Sequence, residues 1–496
     1  MASSSRSTNL YTVEQVRRID QAAIRDGGLP GTELMQRAST AAFAALRRTW
    51  PQARKLLVIA GSGNNGGDAF LLARLAWQAQ WEVHVIALGE RSGGDAAAAR
   101  EAWTRDGGRI IVADEQTQFP DADVLVDGLF GTGITRAPGG VAAHLIEAMN
   151  AFRGGRLALD VPSGLDADNG IAPGAVLRAD ATVSFVGWKR GLFTADGVDC
   201  CGQLELDSLG IPDPIFAGIG PDCQLLEAEF ANVLPPRMRN VNKGRFGHVL
   251  VIGGDIGMPG SVRLAGEAAL RIGAGLVSVA TQARHVGMVV GTRPELMAMA
   301  ADGPQSIEAL LGRAGVLAVG PGLGQGAWGH ALWDKALRAG KPLVLDADGL
   351  NLLARDPLPL PAATVLTPHP GEAARLLDCD TAAVQADRFA AARALASRYA
   401  CVVVLKGAGS LVADAEGRLA LCPFGNPGMA SAGMGDVLTG VIAGLLAQGL
   451  GAWDAACLGT VLHARAGDRA AGPRPRGMIA SDLFEALRDV VNGSPT

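Results

Sequence analysis

The stretch KLLVIAGSGNNGGDAF, residues 55–70, decides how this chain is read. The apolar run LLVIA (56–60) leads straight into a turn carrying glycines, two asparagines and an aspartate. A short, wholly apolar run ending in glycine reads as a strand buried on both faces, and so as part of a parallel sheet covered by helices. Turns at the carboxyl ends of such strands are where open α/β sheets hold ligands. The turn has no lysine or arginine, so a phosphate here would meet glycine amides, while Asn64, Asn65 and Asp68 point amides and a carboxylate into the same space.

The pattern repeats outward from this strand. EVHVIAL (82–88), DVLVDGL (123–129) and RLALDVP (156–162) predict further strands, with helices near 67–80, 94–106 and 140–152 between them. TVSFVG (182–187) and GQLELDS (202–208) are expected to close the far edge of this sheet, and 13–50 reads as helical. Residues 209–242 are rich in Pro and Gly and break the rhythm. A second strand–helix series then starts at GHVLVIGG (247–254) and runs through a helix at 260–273, LVSVAT (276–281), GVLAVGPG (315–322), PLVLDADG (342–349), ATVLTP (363–368) and VVVLKG (402–407) to a glycine-rich turn and a long helix, together 428–447. The expected fold is α/β, with two doubly wound domains over 1–225 and 226–496. No motif repeats between the halves, so two different reactions are expected.

The bulk properties narrow the classes. The chain has 496 residues, 48% of them hydrophobic, with a net charge of about -5 and no basic block, which argues against non-specific nucleic-acid binding. Seven cysteines form no CxxC pair, and Cys200 and Cys201 are adjacent, so reduced thiols in a cytoplasm are expected. The N-terminus has no apolar leader, and VLTGVIAGLLAQGLGAW (437–453) is short for a membrane span and reads as a buried helix. No membrane partner is expected.

Three strand ends of the first half, GSGNNGGDAF, VDGLFGTGITR (126–136) and LDVPSGLDAD (159–168), open on one edge if the sheet is parallel. That edge gathers Asn64, Asn65, Asp68, Asp127, Asp160 and Ser163, with Gly66, Gly67, Gly131 and Gly133 able to bare backbone amides. The alternative for each loop is a plain turn, with Asp68 capping a helix. Oxygens of Asn, Asp and Ser suit a hard cation or a ribose hydroxyl. Together the three stretches resemble the nicotinamide nucleotide hydrate epimerase family, over roughly 10–215, which implies a Rossmann-like domain. The resemblance implies that Asn64, Asn65, Gly66, Gly67 and Asp68, with Gly131, Thr132, Gly133, Ile134, Thr135, Arg136 and Ala137, contact the hydrated nucleotide, NAD(P)HX. It also implies that Asn65, Asp127 and Ser163 hold a potassium ion (K+), and that Asp160 binds substrate beside the reacting carbon as the catalytic carboxylate. Ala69 stands where the family often has glycine. Lys189 is either a second acid/base or phosphate group, or a solvated lysine at a strand end.

In the second half, GMGD (433–436) opens an apolar helix, so its amides can form an anion hole with Asp436 at the rim as a base. A helix-capping aspartate is the alternative. Lys406 follows a strand and His369 lies between prolines, and both are open to structural readings. With GPGLGQ (320–325), LDADGLN (345–351), TPHPGE (367–372) and KGAGS (406–410), this half resembles the ADP-dependent NAD(P)HX dehydratases, which have a ribokinase-like fold. The resemblance implies that Lys406, Gly407, Ala408, Gly409, Ser410 and Gly435 bind the adenine nucleotide. It implies that Ser261, Gly322, Gly324, His369 and the catalytic Asp436 meet the hydrated nicotinamide, and that ADP is used with magnesium (Mg2+). Ser261 and Ser410 stand where the family often has Ala and Thr. Asp346 and Asp348 are candidates to orient magnesium through water, or simply to make a turn. The function implied is repair of hydrated NADH and NADPH by epimerisation and dehydration, and a homo-oligomer is expected. The competing reading is a ribokinase-type small-molecule kinase fused to a nucleotide-binding scaffold.

Overall fold

A computed structural model describes residues 8–90, 93–134, 136–227 and 234–493. The chain divides into two compact units, Met1–Gln224 and Leu225–Thr496.

The first unit begins with β1 (Asn9–Tyr11), α1 (Val13–Arg25) and α2 (Gly31–Thr49). β2 (Lys55–Ala60), α3 (Asn64–Gln78), β3 (Glu82–Ala87), α4 (Gly94–Arg105), β4 (Ile110–Val112), β5 (Val124–Gly128), α5 (Val141–Ala151) and β6 (Gly155–Leu159) follow. β7 (Ala181–Phe185), β8 (Trp188–Lys189), α6 (Gly197–Cys200), β9 (Gln203–Asp207), α7 (Asp213–Ile219) and β10 (Cys223–Leu225) complete it. Seven strands form one sheet in the order β4-β3-β2-β5-β6-β7-β9, and every pairing is parallel. The apolar runs alternate between two cores: Leu56, Val58 and Ala60 pack on one face of β2, and Leu57 and Ile59 on the other. Strand order reverses between β2 and β5, so the loops after these strands flank the crevice where doubly wound sheets take ligands.

α1 is set by a capping box of Thr12 and Gln15, and buries Val13, Val16, Ile19 and Ala23. The helix expected from residue 67 starts earlier, at Asn64. Gly63, in extended conformation, is its N-cap, and the asparagines occupy its first two positions rather than a loop.

The second unit contains β11 (His248–Ile252), α8 (Pro259–Ile272), β12 (Leu276–Thr281), α9 (Val286–Thr292), β13 (Met297–Ala300), α10 (Glu308–Arg313), β14 (Val316–Val319) and α11 (Ala327–Leu337). Next come β15 (Leu343–Leu345), α12 (Asp348–Arg355), β16 (Thr364–Leu366), α13 (Pro370–Leu377), α14 (Thr381–Ala386), α15 (Arg388–Tyr399) and β17 (Val402–Leu405). β18 (Ser410–Ala413), β19 (Leu419–Cys422), α16 (Met434–Ala447), α17 (Ala452–Ala471) and α18 (Leu483–Val491) end it. Its strands run β13-β12-β11-β14-β15-β16-β17-β18-β19, parallel up to β17 and antiparallel through β18 and β19. Here the order reverses between β11 and β14, which puts the first turn of α8, with Ser261, beside the loop carrying Gly322.

α16 lies directly on α8, because a Cβ at Gly440 would sit 2.0 Å from the Ala265 carbonyl oxygen. The glycine-rich turn and long helix expected over 428–447 are present: the turn passes through Gly433 at φ 88°, and the helix runs from Met434 to Ala447. The apolar run 437–453 is not one helix: α16 ends at Ala447 and α17 starts at Ala452, separated by a turn through Gly449 at φ 96°.

Candidate active sites

In the first unit, β2, β5 and β6 are adjacent and parallel, so the three motif-bearing loops do open on one edge. They border a cavity of about 540 Å³. Its lining includes Asn64, Asn65, Asp68, Gly131, Thr132, Gly133, Asp160 and Lys189, together with Asp20 and Arg17 from α1. No side chain caps α3, which leaves its first amides facing this space, an arrangement suited to an anion.

Asp160 follows β6 at φ 64°, a left-handed conformation that turns its carboxylate toward β7 and β8. Its Oδ1 pairs with Lys189 Nζ and accepts from the Phe185 amide at 3.1 Å and Ser184 Oγ at 3.4 Å. Lys189 is only 1% exposed and also donates to the Phe185 carbonyl at 2.7 Å and Ser184 Oγ at 3.2 Å. It is not the solvated strand-end lysine allowed as an alternative.

Beneath the cavity floor lies a second cluster. Asp127 and Ser163 are fully buried; Ser163 Oγ donates to Asp127 Oδ1 at 2.6 Å, and the Ser163 amide to Oδ2 at 2.8 Å. Burial pushes the Asp127 carboxyl up to about 6, against the hydrogen bonds from Ser163 and the Leu129 amide. Asn65 Nδ2 donates to the Phe130 carbonyl at 2.9 Å, and the Phe130 amide donates to Ser163 Oγ at 2.8 Å. Asn65 Oδ1 is buried with no hydrogen-bonding partner among the described residues. An orphaned amide oxygen beside a buried carboxylate, a hydroxyl and a carbonyl is a donor set that fits a hard cation.

Other expected contacts move. Gly66 and Gly67 are absent from the cavity lining. They are small for packing: a Cβ on Gly66 would lie 2.0 Å from the Gly61 carbonyl oxygen, and one on Gly67 would lie 2.7 Å from Met35 Sδ. The Gly67 amide already donates to Gly63 at 3.1 Å. Asp68 sits in the second turn of α3 and does not cap it. Ile134, Arg136 and Ala137 lie outside the lining, and Thr135 lies outside the described residues. Gly66→Ala is expected to destabilise the fold by about 1–3 kcal/mol through overpacking against backbone. A thermal unfolding midpoint of the full chain equal to wild type would contradict that packing role.

Asp20 was not legible as a site residue. It lies on α1 beside the core stripe of Val16, Ile19 and Ala23, and burial pushes its carboxyl up to about 6, with Lys189 pulling it down and Asp160 raising it. Asp68 is held well above the usual carboxylate range by burial, then by the charges of Asp160 and Asp20, with Lys189 opposing.

In the second unit the centre is Asp346, 1% exposed after β15. It accepts from Thr367 Oγ1 at 2.8 Å, Thr439 Oγ1 at 2.9 Å and Lys406 Nζ at 2.8 Å. Burial alone would raise its carboxyl, but Lys406 and these hydrogen bonds hold it below the usual range. These contacts tie Asp346 to Lys406 and to Thr439 of α16. Asp348 accepts from the Gly324 amide at 2.9 Å and so fixes the GPGLG loop. Gly322 and Gly324, at φ 54° and 71°, need glycine; a Cβ on Gly322 would come 3.1 Å from Ser261 Cβ.

Ser261 hydrogen-bonds Asp436, whose carboxyl is raised to about 6 by burial, then by Asp346, against Ser261 and Lys406. A Cβ at Gly435 would stand 3.2 Å from Lys406 Nζ, so the GMGD turn, Lys406, Asp436, Ser261 and Gly322 form one cluster. His463 of α17, buried with Nε2 lacking a partner among the described residues, hydrogen-bonds the Met434 backbone and braces this turn. Burial pushes its imidazole down to about 4.

His369 is the N-cap of α13, its Nδ1 accepting from the Gly371 amide at 3.0 Å, with Nε2 3.3 Å from Glu372 Oε1. Burial, Lys406 and Arg375 lower its pKa, which keeps the ring neutral. Glu372, missed in the sequence, is 5% exposed and 3.8 Å from Lys406. The Lys406–Ser410 loop is held by the buried Arg388, whose guanidinium donates to the carbonyls of Lys406 at 3.3 Å and Gly409 at 3.4 Å. Ser410 Oγ closes the loop on the Gly407 carbonyl at 3.0 Å, and Gly407 and Ala408 are exposed at its tip.

Comparison with known proteins agrees with this division. A family model described as NAD(P)H-hydrate dehydratase matches residues 249–489, and one described as YjeF-related protein N-terminus matches 31–191. The bifunctional NAD(P)H-hydrate repair enzyme Nnr of Coxiella burnetii is 45% identical over 489 residues, covering 98% of this chain and 100% of that protein. The Escherichia coli enzyme of the same name is 44% identical, covering 98% and 95%. Among solved structures, an ADP/ATP-dependent NAD(P)H-hydrate dehydratase from Bacillus subtilis, co-crystallised with ATP and Mg2+, aligns with a TM-score of 0.50 at 28% identity, covering 54% of this chain and 98% of that one.

Proposed function

The chain belongs to the bifunctional NAD(P)H-hydrate repair enzymes, an epimerase domain joined to a ribokinase-like dehydratase domain, and on that premise we propose that Asp160 and Asp436 carry its two reactions. The observation that supports this is one carboxylate cluster in each unit: Asp160 paired with the buried Lys189, and Asp436 hydrogen-bonded to Ser261 in the cluster that holds Lys406 and Gly435.

In the first unit the cavity takes NAD(P)HX, with its phosphates toward the uncapped start of α3 and the Gly131–Gly133 turn. Asp160, fixed by Lys189, faces the hydrated ring. Its negative charge stabilises the positive character that develops when the C6 centre is opened. Asn65, Asp127, Ser163 and the Phe130 carbonyl would hold K+, which would supply positive charge beside the buried Asp127 carboxylate. Only three side chains contribute, so backbone oxygens complete a shell of about six. Epimerisation is expected to fall when potassium is replaced by lithium, which is too small for such a cage. Equal epimerisation rates in the two salts would sink the cation assignment.

In the second unit ADP lies along the Lys406–Ser410 loop, with its terminal phosphate at Gly435 and Lys406. Asp436 takes the proton of the C6 hydroxyl as that oxygen attacks phosphorus, and AMP leaves. Phosphate, a far better leaving group than hydroxide, then departs from C6 as C5 loses a proton, restoring the dihydropyridine. Mg2+, when bound, neutralises phosphate charge. Side-by-side dehydratase assays with ADP and ATP test the nucleotide assignment: faster turnover with ADP is expected, and turnover with ATP alone would overturn it.

A further inference from the structure

The first-unit cavity contains more carboxylates than its ion pair can use. Asp160 Oδ1 accepts from Lys189, the Phe185 amide and Ser184, which fixes this carboxylate against the buried lysine. Asp20 and Asp68 border the same cavity from α1 and α3. The other charged groups on its wall are Arg17, on α1 beside Asp20, and Asp95, near the start of α4. Hydroxide leaves a carbon badly unless it is protonated as the bond breaks. An acid is therefore needed, and Asp20 and Asp68 are carboxyls of this wall that lie outside the Asp160–Lys189 pair.

We propose that Asp20 is a catalytic residue of the epimerisation: with Asp68 it shares one proton on the cavity wall and delivers that proton to the C6 hydroxyl of the hydrate as it departs. The proposal rests on the epimerase reading of this cavity. The C6–O bond breaks with its electron pair on oxygen, the shared proton converts that oxygen to water, and the ring nitrogen lone pair forms the C6–N1 double bond. Water then adds to the opposite face of C6 and returns its proton to the carboxylate pair. No oxidant or reductant is required. The cationic ring lies against Asp160, so one carboxylate stabilises charge while the pair moves the proton, a division that neighbouring acids achieve when their surroundings differ. The raised carboxyls of both Asp20 and Asp68 are consistent with a retained proton. The charge of Asp20 is among the causes that raise Asp68.

The test is the pH profile of epimerisation by the full chain, read by chromatography of R- and S-NADHX, for wild type, Asp20→Asn and Asp20→Glu. An acid must be protonated to act, so the wild-type rate is expected to fall on the alkaline side as the pair loses its proton. Asp20→Asn removes a negative charge that raises Asp68, so that alkaline limb is expected to move to lower pH. The rate at mildly alkaline pH should fall by about 10- to 100-fold, toward the lower end of general-acid contributions, and Asp20→Glu should restore both. ADP-driven dehydration of S-NADHX by the same preparations reports that the chain is folded. An unshifted alkaline limb in Asp20→Asn, whatever its rate, would overturn the proposal. Failure of the epimerase reading looks different: wild type itself would not interconvert the two forms.

Discussion

Asp436→Asn is expected to lower ADP-driven recovery of NADH from S-NADHX by about 2 to 4 orders of magnitude, the span of a lost general base, while R-to-S exchange stays at the wild-type rate. The asparagine keeps the side-chain size and can still meet Ser261, but it cannot accept the hydroxyl proton. Nucleotide affinity should change little, because Lys406 keeps its 2.8 Å contact with Asp346 and the Gly435 backbone is untouched. A base works only when deprotonated. Burial raises this carboxyl to about 6, so wild-type dehydration is expected to hold above that pH and to fall below it. Steady-state turnover at saturating ADP checks the first point and its acid limb the second.

The second large effect is expected at Asp160. Asp160→Asn should slow epimerisation by about 2 to 4 orders of magnitude and leave dehydration of S-NADHX unchanged. The amide retains the outline of the carboxylate at φ 64°, where asparagine is also tolerated, but it carries no charge to oppose the positive ring. It also leaves the 1% exposed Lys189 without its counter-ion, so an apparent loss of fold must be excluded by the unchanged dehydratase rate. Wild-type epimerisation in this variant would transfer the role to Lys189 or to water.

The sheet strands were legible because parallel strands between helix layers must be apolar on both faces, and LLVIA and VVVL are. The loops after β2, β5 and β6 followed from their shared direction. The start of α3 was misread because Asn and Gly signal turns in isolation, whereas here Gly63 caps a helix whose glycines let it press onto Gly61 and Met35. Asp20 was invisible because RRIDQ on an amphipathic helix is indistinguishable from a solvated face until α1 is seen to border the cavity. Asp346 looked like a turn residue or a group that orients magnesium through water. Its partners Thr367, Lys406 and Thr439 lie 21, 60 and 93 positions away, and no local pattern joins them. The β18–β19 hairpin escaped notice because KGAGS draws attention as a ligand loop before it is seen to start a strand.

The claim that two independent sites act in sequence is tested most directly by complementation. R-NADHX is given with ADP and Mg2+ to Asp160→Asn alone, to Asp436→Asn alone and to an equal mixture of the two, and NADH is followed by its near-ultraviolet absorbance. Neither variant alone is expected to form NADH from the R form beyond the slow uncatalysed rate, whereas the mixture should convert it fully. If the mixture remains as inactive as either variant, the two reactions do not run at separate sites on this chain and the account is wrong.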